Sequence, residues 1–389
     1  MPTQHSNLIG GSSCARRMAC PGSYQLELTA PEEVSSSYAA EGTFLHSVVE
    51  RCLNDDVPPS AMLGYEEDGY TLTQDLIDEM VKPAISAVGE MLDMLGVDEF
   101  ELITEARVGY PDIDAFGTTD LLIVTDDAVI VGDFKFGRGV MVKGGPTNKQ
   151  LMFYAGACMR SPETAHYFDG REGVVLAIIQ PANEKPLQFD FTTTNAVGHF
   201  ADKVEALARE LMTRDDLPLI TGDHCRWCKA APVCSAKYEQ ASIALATDVS
   251  EAFIDPVEFG QLLHMADEVE SWAKTVRSTA FNELKRGRQV DGYKLVEKRR
   301  TRSWQNEQVA AERLRDLGIN DVYERKLVSP SQAEKSVKAA GGKPGDLSDI
   351  IEARSPGLTM AAADDRRPAA EISHGAVSLA SLNIPERGN

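Results

Sequence analysis

Two β-rich runs, Gly117–Val124 and Ala128–Phe136, stand either side of the turn-forming pair Asp126 and Asp127. Apolar and β-branched runs of this length, separated by turn formers, predict a β-hairpin. Asp120 lies near the start of the first strand and Asp133 near the end of the second. Antiparallel neighbours lie about 5 Å apart, so the hairpin can bring the two acids together. Two carboxylates converging on one point repel unless a cation lies between them, and hard oxygen ligands suit Mg²⁺ or Mn²⁺. Lys135 stands two residues beyond Asp133 and therefore projects from the same face of its strand. Its ammonium can orient or deprotonate a water there, or stabilise developing negative charge.

Other elements surround the hairpin. The spacing of Ala39, Ala40, Phe44, Val48 and Leu53 predicts a helix over Ser36–Leu53, on which His46 and Glu50 are four apart and share a face. Thr71–Leu95 predicts a second helix that Pro83 bends or splits. Glu101–Val108, carrying Glu105, reads as a strand. Asn148–Met159 reads as a helix with Gln150 and Tyr154 on one face. Gly173–Ile179 and Leu187–Thr192 read as further strands, and Asn195–Thr213 as a helix leading into a cysteine-rich loop. Helices, then strands, then a helix between strands imply an α/β fold with a mixed sheet flanked by helices, without the regular alternation of a doubly wound fold. After Ser235 the pattern is helical, with breaks near Gly287 and Gly292, a short strand over Tyr293–Glu297, and helices over Gln305–Leu317 and Ser331–Ala340. From Ser355 the chain is rich in Ala, Pro and small polar residues, the composition of a flexible tail. The expected division is a core over 1–245, a mainly helical region over 246–354, and a tail over 355–389.

The formal net charge is −21, which by itself argues against a nucleic-acid binder. The charge is unevenly spread, however. Asn54–Asp114 holds 16 Asp and Glu with only Lys82 and Arg107 as bases, whereas Phe281–Ser303 holds eight Lys and Arg against three acids. A basic surface can therefore coexist with an acidic whole. Arg299, Arg300 and Arg302 are candidates for phosphate contacts, with Trp304 as a stacking residue. The opening residues Met1–Gly11 are polar, and no run approaches the ~20 apolar residues of a membrane span, so the expectation is a soluble intracellular protein with no membrane partner. Of the seven cysteines, Cys225, Cys228 and Cys234 are closely spaced, a pattern of metal or cluster ligation rather than of a disulfide framework.

Taken in order, Gly42-x-x-x-His46, Gly117-x-x-Asp120, Asp133-x-Lys135 and Gln150-x-x-x-Tyr154 resemble the RecB-type branch of the PD-(D/E)XK nucleases. That resemblance implies a restriction-endonuclease-like core. It implies metal ligation by His46, Asp120 and Asp133, with the Phe134 carbonyl as a fourth ligand, catalysis by Lys135, and Gln150 and Tyr154 lining the site near the DNA backbone. Glu105 matches a frequent acidic position of the same family. Cys20, far upstream in Cys20-Pro-Gly-Ser, together with Cys225, Cys228 and Cys234 resembles the iron–sulfur clasp of RecB-family nucleases, including AddB-type subunits and CRISPR-associated adaptation nucleases. Four thiolates suit a [4Fe-4S] cluster, with structural Zn²⁺ as the alternative. The resemblance extends over about residues 5–370 to phage and prophage proteins of this class. They share the Cys-Pro-Gly-Ser start, a segment like Gly292-Tyr-Lys-Leu-Val-Glu297 and an end like Asp365-Arg-Arg-Pro368. It implies an exonuclease or end-processing DNA nuclease of phage recombination or replication, working with phage proteins in a bacterial host's cytoplasm. The competing expectation is a nuclease-fold DNA-binding or scaffold protein that docks a partner without efficient cleavage.

Overall fold

The hairpin forms where the residues predict it and lies within a five-stranded sheet. The structure is a computed structural model that describes residues 6–30, 37–137, 141–246, 256–296, 330–339 and 345. The strands are β3 (Glu101–Tyr110), β4 (Ala115–Val124), β5 (Ala128–Phe134), β6 (Gly173–Ile179) and β7 (Leu187–Thr193), hydrogen-bonded in that order. β5 and β6 are parallel, and the other neighbours are antiparallel. A parallel pair needs a crossover, and α6 (Lys149–Arg160) lies in the segment that makes it. The sheet is therefore mixed, as the order of elements implied.

Alternation along the strands sends side chains to two cores. Leu122, Val129, Val131, Val174, Leu176 and Ile178 pack on one face, with α1 (Gly11–Ala19), α6 and α7 (Thr194–Thr213) contributing to the same core. Leu121, Ile123, Ile130, Val175, Ala177 and Ile179 pack on the other, with residues of α3 (Ser37–Asn54) and α5 (Lys82–Leu95). Each such side chain contributes roughly 1.5–3 kcal/mol when fully buried, so strand register is firmly fixed. The alternation shifts on β4, where Ala115 and Leu122 share a core, and beside it on β3. Ile103 and Ala106, three residues apart on β3, pack against the same core. Between them Glu105 adopts a left-handed backbone, φ 48°, in a strand that is otherwise extended.

Several boundaries differ from expectation. The predicted helix over Thr71–Leu95 begins at α4 (Gln74–Leu76) and continues through a π-helical turn, Ile77–Val81, into α5. Pro83 sits just after that turn, in the first turn of α5, where a missing N–H is tolerated. Thr71 itself closes a small hairpin, β1 (Glu66–Glu67) and β2 (Tyr70–Thr71), that periodicity did not reveal. Tyr293 makes only an isolated bridge to Val290, so no strand forms over the described residues 293–296.

The chain divides into two compact units, Met1–Val296 and Glu297–Asn389. In the first, α2 (Ser23–Leu28) follows α1, and α8 (Ser235–Ala246) and α9 (Pro256–Lys285) follow the cysteine loop. A buried ion pair, Lys237 with Glu268, joins α8 to α9. In the second unit the described helix is α10 (Pro330–Ala339). The C-terminal region is thus helical where it is described. Arg299, Arg300, Arg302, Trp304, the expected helix over Gln305–Leu317 and the expected tail lie outside the described residues. Among the described residues no helix is long and apolar enough to cross a membrane.

Candidate functional site

Helices α1, α3 and α6 and strands β3, β4 and β5 deliver side chains to one cleft of about 340 Å³. α3 brings His46, anchored by its buried neighbours Leu45 and Val48. The imidazole stands edge-on to Phe136 at 5.1 Å and to Phe134 at 6.4 Å between centroids, which fixes its plane. β3 brings Glu105, β4 brings Asp120, and β5 with the residue after it brings Asp133 and Lys135. α6 adds Gln150 and Tyr154. Asn148 caps that helix, its side chain accepting from the backbone N–H groups of Gln150 and Leu151 at 3.0 and 3.2 Å.

The acids divide into two sets. His46 Nδ1 lies 3.4 Å from Asp120 Oδ2 and 4.0 Å from Glu105 Oε1. Ligand atoms of these three residues all fall within 4.8 Å of one another, close enough to share a cation. Asp120 also accepts the Phe134 N–H at 2.7 Å, which ties β4 to the far end of β5. Asp133 instead faces the cations and amides: Lys135 Nζ lies 2.6 Å from its Oδ2, and Gln150 donates to its Oδ1 at 2.8 Å.

The electrostatics of the first set are unfavourable as it stands. Burial pushes the Asp120 carboxyl well above the ordinary range, and the nearby Asp133 charge adds to it. Burial and then Asp120 raise Glu105 to about 7. Burial lowers His46 below its ordinary value, although Asp133 and Glu105 pull the other way. Burial works against charge on Lys135 as well, but Asp133, through its charge and its hydrogen bond, outweighs it and holds the amine as an ammonium. Tyr154 is pushed up by burial and then by Asp133 and Asp120, so its hydroxyl keeps its proton. The strained backbone of Glu105 belongs to the same picture, since such conformations persist where surrounding structure imposes them. A hard divalent cation fits this set: two carboxylates and an imidazole that repel or neutralise one another without it.

The cysteines are arranged elsewhere. Cys20 is the C-cap of α1, and its Sγ receives the Ile220 N–H at 3.2 Å. Gly22 permits this approach: its N–H donates to the Pro218 carbonyl at 3.0 Å, and a Cβ there would stand 2.5 Å from the Leu217 carbonyl oxygen. Cys225 is raised by burial, with Cys20 and Cys234 as neighbouring thiols that raise it further. Cys228 is pushed up to about 12 by burial and then by Glu27. The charges of Cys20 and Cys234 are felt at Cys225 and that of Glu27 at Cys228, while among the described residues the potential ligands lying within 4.8 Å of one another are His46, Glu105 and Asp120. Cys14 is buried in the core that α1 shares with α6, as a small apolar residue. Its helix is capped at Gly10, whose N–H is taken by Ser13 Oγ at 2.9 Å.

A family model matches residues 5–368 of this chain. The chain belongs to DUF2800, described as a protein of unknown function. Among solved structures, this DUF2800 chain is similar to an alkaline exonuclease, LHK-Exo, from Laribacter hongkongensis, at 12% identity, a TM-score of 0.22, and coverage of 52% of this chain and 92% of that one. It is similar also to SSO0001, at 13% identity, a TM-score of 0.22, and coverage of 57% and 96%.

His46, Asp120, Asp133, Lys135, Gln150 and Tyr154, singled out from sequence, all line the one cleft. Phe134 borders it through its N–H on Asp120. Glu105 completes the set that can share a cation, in the place expected for Asp133. Ser12, Thr43, Ser47, Glu50 and Thr118 line the cleft too. Spacing alone carries no signal for Ser12, which arrives from a helix more than thirty residues from His46 in sequence.

Proposed function

We propose that this chain is a metal-dependent DNA nuclease of the RecB-type PD-(D/E)XK class, acting as an exonuclease or end-processing enzyme in phage recombination or replication. The observation that carries the reading is the surplus of half-buried carboxylate around His46, next to an ammonium held by Asp133. His46, Glu105 and Asp120 would hold Mg²⁺ or Mn²⁺, with Asp133 and the Phe134 carbonyl as further ligands. Such a cation, when bound, acidifies water and polarises a phosphate oxygen. The other side chains have separate tasks. Lys135, kept charged by Asp133, suits stabilising negative charge on a phosphate better than taking a proton. Gln150 keeps Asp133 in place. Tyr154 offers a hydroxyl proton to a substrate oxygen.

Cys20, Cys225, Cys228 and Cys234 would hold a [4Fe-4S] cluster, tying the segment before the core to the segment after it. The Ile220 N–H on Cys20 Sγ supports this, because amide donors to sulfur are a feature of such sites. Anaerobically purified protein is expected to be brown, to bleach in Cys20→Ser and to keep its colour in Cys14→Ser. Colourless protein with stoichiometric zinc would replace the cluster by a structural metal.

The test of the activity is incubation of linear single- and double-stranded DNA with the full chain and Mg²⁺ or Mn²⁺, with EDTA as control. Metal-dependent release of nucleotides or short products is expected. DNA binding without cleavage in either metal would favour the scaffold reading, for which the net charge of −21 is the supporting observation.

A further inference from the structure

A second cleft of the first unit lies between the cysteine loop and α9, and its chemistry runs against the charge of the chain. The whole chain carries 60 acidic and 39 basic residues. Arg226, Lys229 and Arg286 line this cleft with Glu283 as the acid, and Glu283 is already paired with Arg286 at 3.2 Å and with Arg288. With Arg286 just past the end of the helix, the α9 wall is formed by Thr275, Ser278, Thr279 and Asn282. Their spacing puts them on one helix face. Hydroxyl, amide and guanidinium groups are those that contact nucleic-acid phosphates.

The loop wall carries Trp227, which is 67% exposed. Its indole is a large apolar surface left in water, with the Arg226 guanidinium 5.1 Å from the ring centroid. An exposed aromatic face beside basic residues is a platform on which an unpaired base can stack.

α1 connects this cleft to the candidate metal site. Ser12 lines the metal-site cleft, and Arg16 donates to the Trp227 carbonyl at 2.9 Å. Ser12 and Arg16 are four residues apart on one face of the helix, a rise of about 6 Å. One side of α1 thus runs from the cleft to the backbone of Trp227.

We propose that Trp227, Arg226, Lys229 and the polar face of α9 form a track for a single DNA strand, which continues along α1 from the His46–Asp120 cleft. The proposal rests on the nuclease reading for the direction of the strand, but the track binds in the absence of metal. It gives the site a preference for DNA with an unpaired end, because a base inside a duplex has no free face for Trp227.

The test is anisotropy of fluorescein-labelled oligo-dT and of a blunt duplex of equal length, with the full chain in EDTA. Oligo-dT is expected to bind more tightly than the duplex. Trp227→Ala should weaken oligo-dT binding about tenfold or more, and Trp227→Phe should restore most of it. The double variant Arg226→Ser, Lys229→Ser should lower the slope of log affinity against log salt by about 0.7 for each charge removed. Circular dichroism of each variant checks that the fold is kept. Undetectable oligo-dT binding by the parent chain, preference for the blunt duplex, or parent-like binding by both Trp227→Ala and the double variant would overturn the proposal. Oligo-dT binding through Trp227 in a chain that cleaves nothing with Mg²⁺ or Mn²⁺ would contradict the nuclease reading and leave the track standing.

Discussion

Two groups of charges in the first unit are built on opposite rules. Around Glu27 opposite charges are paired, two guanidiniums to one carboxylate. Arg16 Nε lies 2.9 Å from its Oε1, Arg17 Nη2 lies 2.8 Å from its Oε2, and the Lys229 N–H donates to it at 3.1 Å. Burial pushes Glu27 up, but Arg17 and Arg16 outweigh it and hold the carboxyl below its ordinary 4.5. Around His46 the charges are unmatched, and Glu105 and Asp120 are raised. The first group stitches α1 and α2 to the cysteine loop. The second is relieved either by protons, as its raised carboxyls show, or by a cation. Paired opposite charges suit a structural role, and a surplus of one sign suits a ligand site.

The largest effect expected from breaking the contrast is at the matched group. Glu27→Gln leaves Arg17 buried without its counter-charge, and losing one partner of such a pair costs about 3–5 kcal/mol. Urea denaturation of the variant would measure it. A loss under 1 kcal/mol would show that the arginines find water instead.

The opposite sign is expected at the unmatched group. Asp120→Asn removes a repelling carboxylate while keeping its shape. In EDTA the variant should be more stable than the parent, because a carboxyl that burial and Asp133 disfavour is gone. With Mn²⁺ added, the parent should gain melting temperature and the variant should gain much less. Equal gains would place the cation elsewhere.

pH separates the two groups further. Glu27 has a depressed folded pKa, so the unfolded chain binds the extra proton, and its contribution to stability is lost as pH falls below about 4.5. Glu105 is raised to about 7, so the folded chain holds the extra proton, and stability falls as pH rises from 4.5 to 7. Subtracting the Glu105→Gln profile from the parent profile in EDTA should isolate that second slope. A flat difference across this window would mean that Glu105 ionises freely in the fold.

These two groups were unequally legible in the sequence. The β4–β5 hairpin followed from branched runs around Asp126–Asp127, and the parity of Asp133 and Lys135 followed from strand geometry. His46 was visible because helix spacing and the Gly42-x-x-x-His46 motif agree. The role of Glu105 beside His46 rests on a left-handed backbone and a shift of alternation between Ile103 and Ala106, and no residue type there announces either. The Glu27 network was invisible, because its partners lie on α1, α2 and the loop after Leu217, distant segments brought together by packing. Beside Cys20, Gly22 lets another backbone pass close, and here Leu217 and Pro218 do so.

The most direct test of the central claim is the rate of DNA cleavage by purified Lys135→Ala in saturating Mn²⁺, beside the parent chain. The Lys135 ammonium, 2.6 Å from Asp133, is a group of the cleft whose removal leaves the His46, Glu105 and Asp120 set in place. Removing one preorganised charge that stabilises a transition state costs about 10²–10³ in rate. The expected result is a loss of that size, with unchanged circular dichroism and retained Mn²⁺ binding. Cleavage by Lys135→Ala at the parent rate would contradict the assignment of this cleft as the active site.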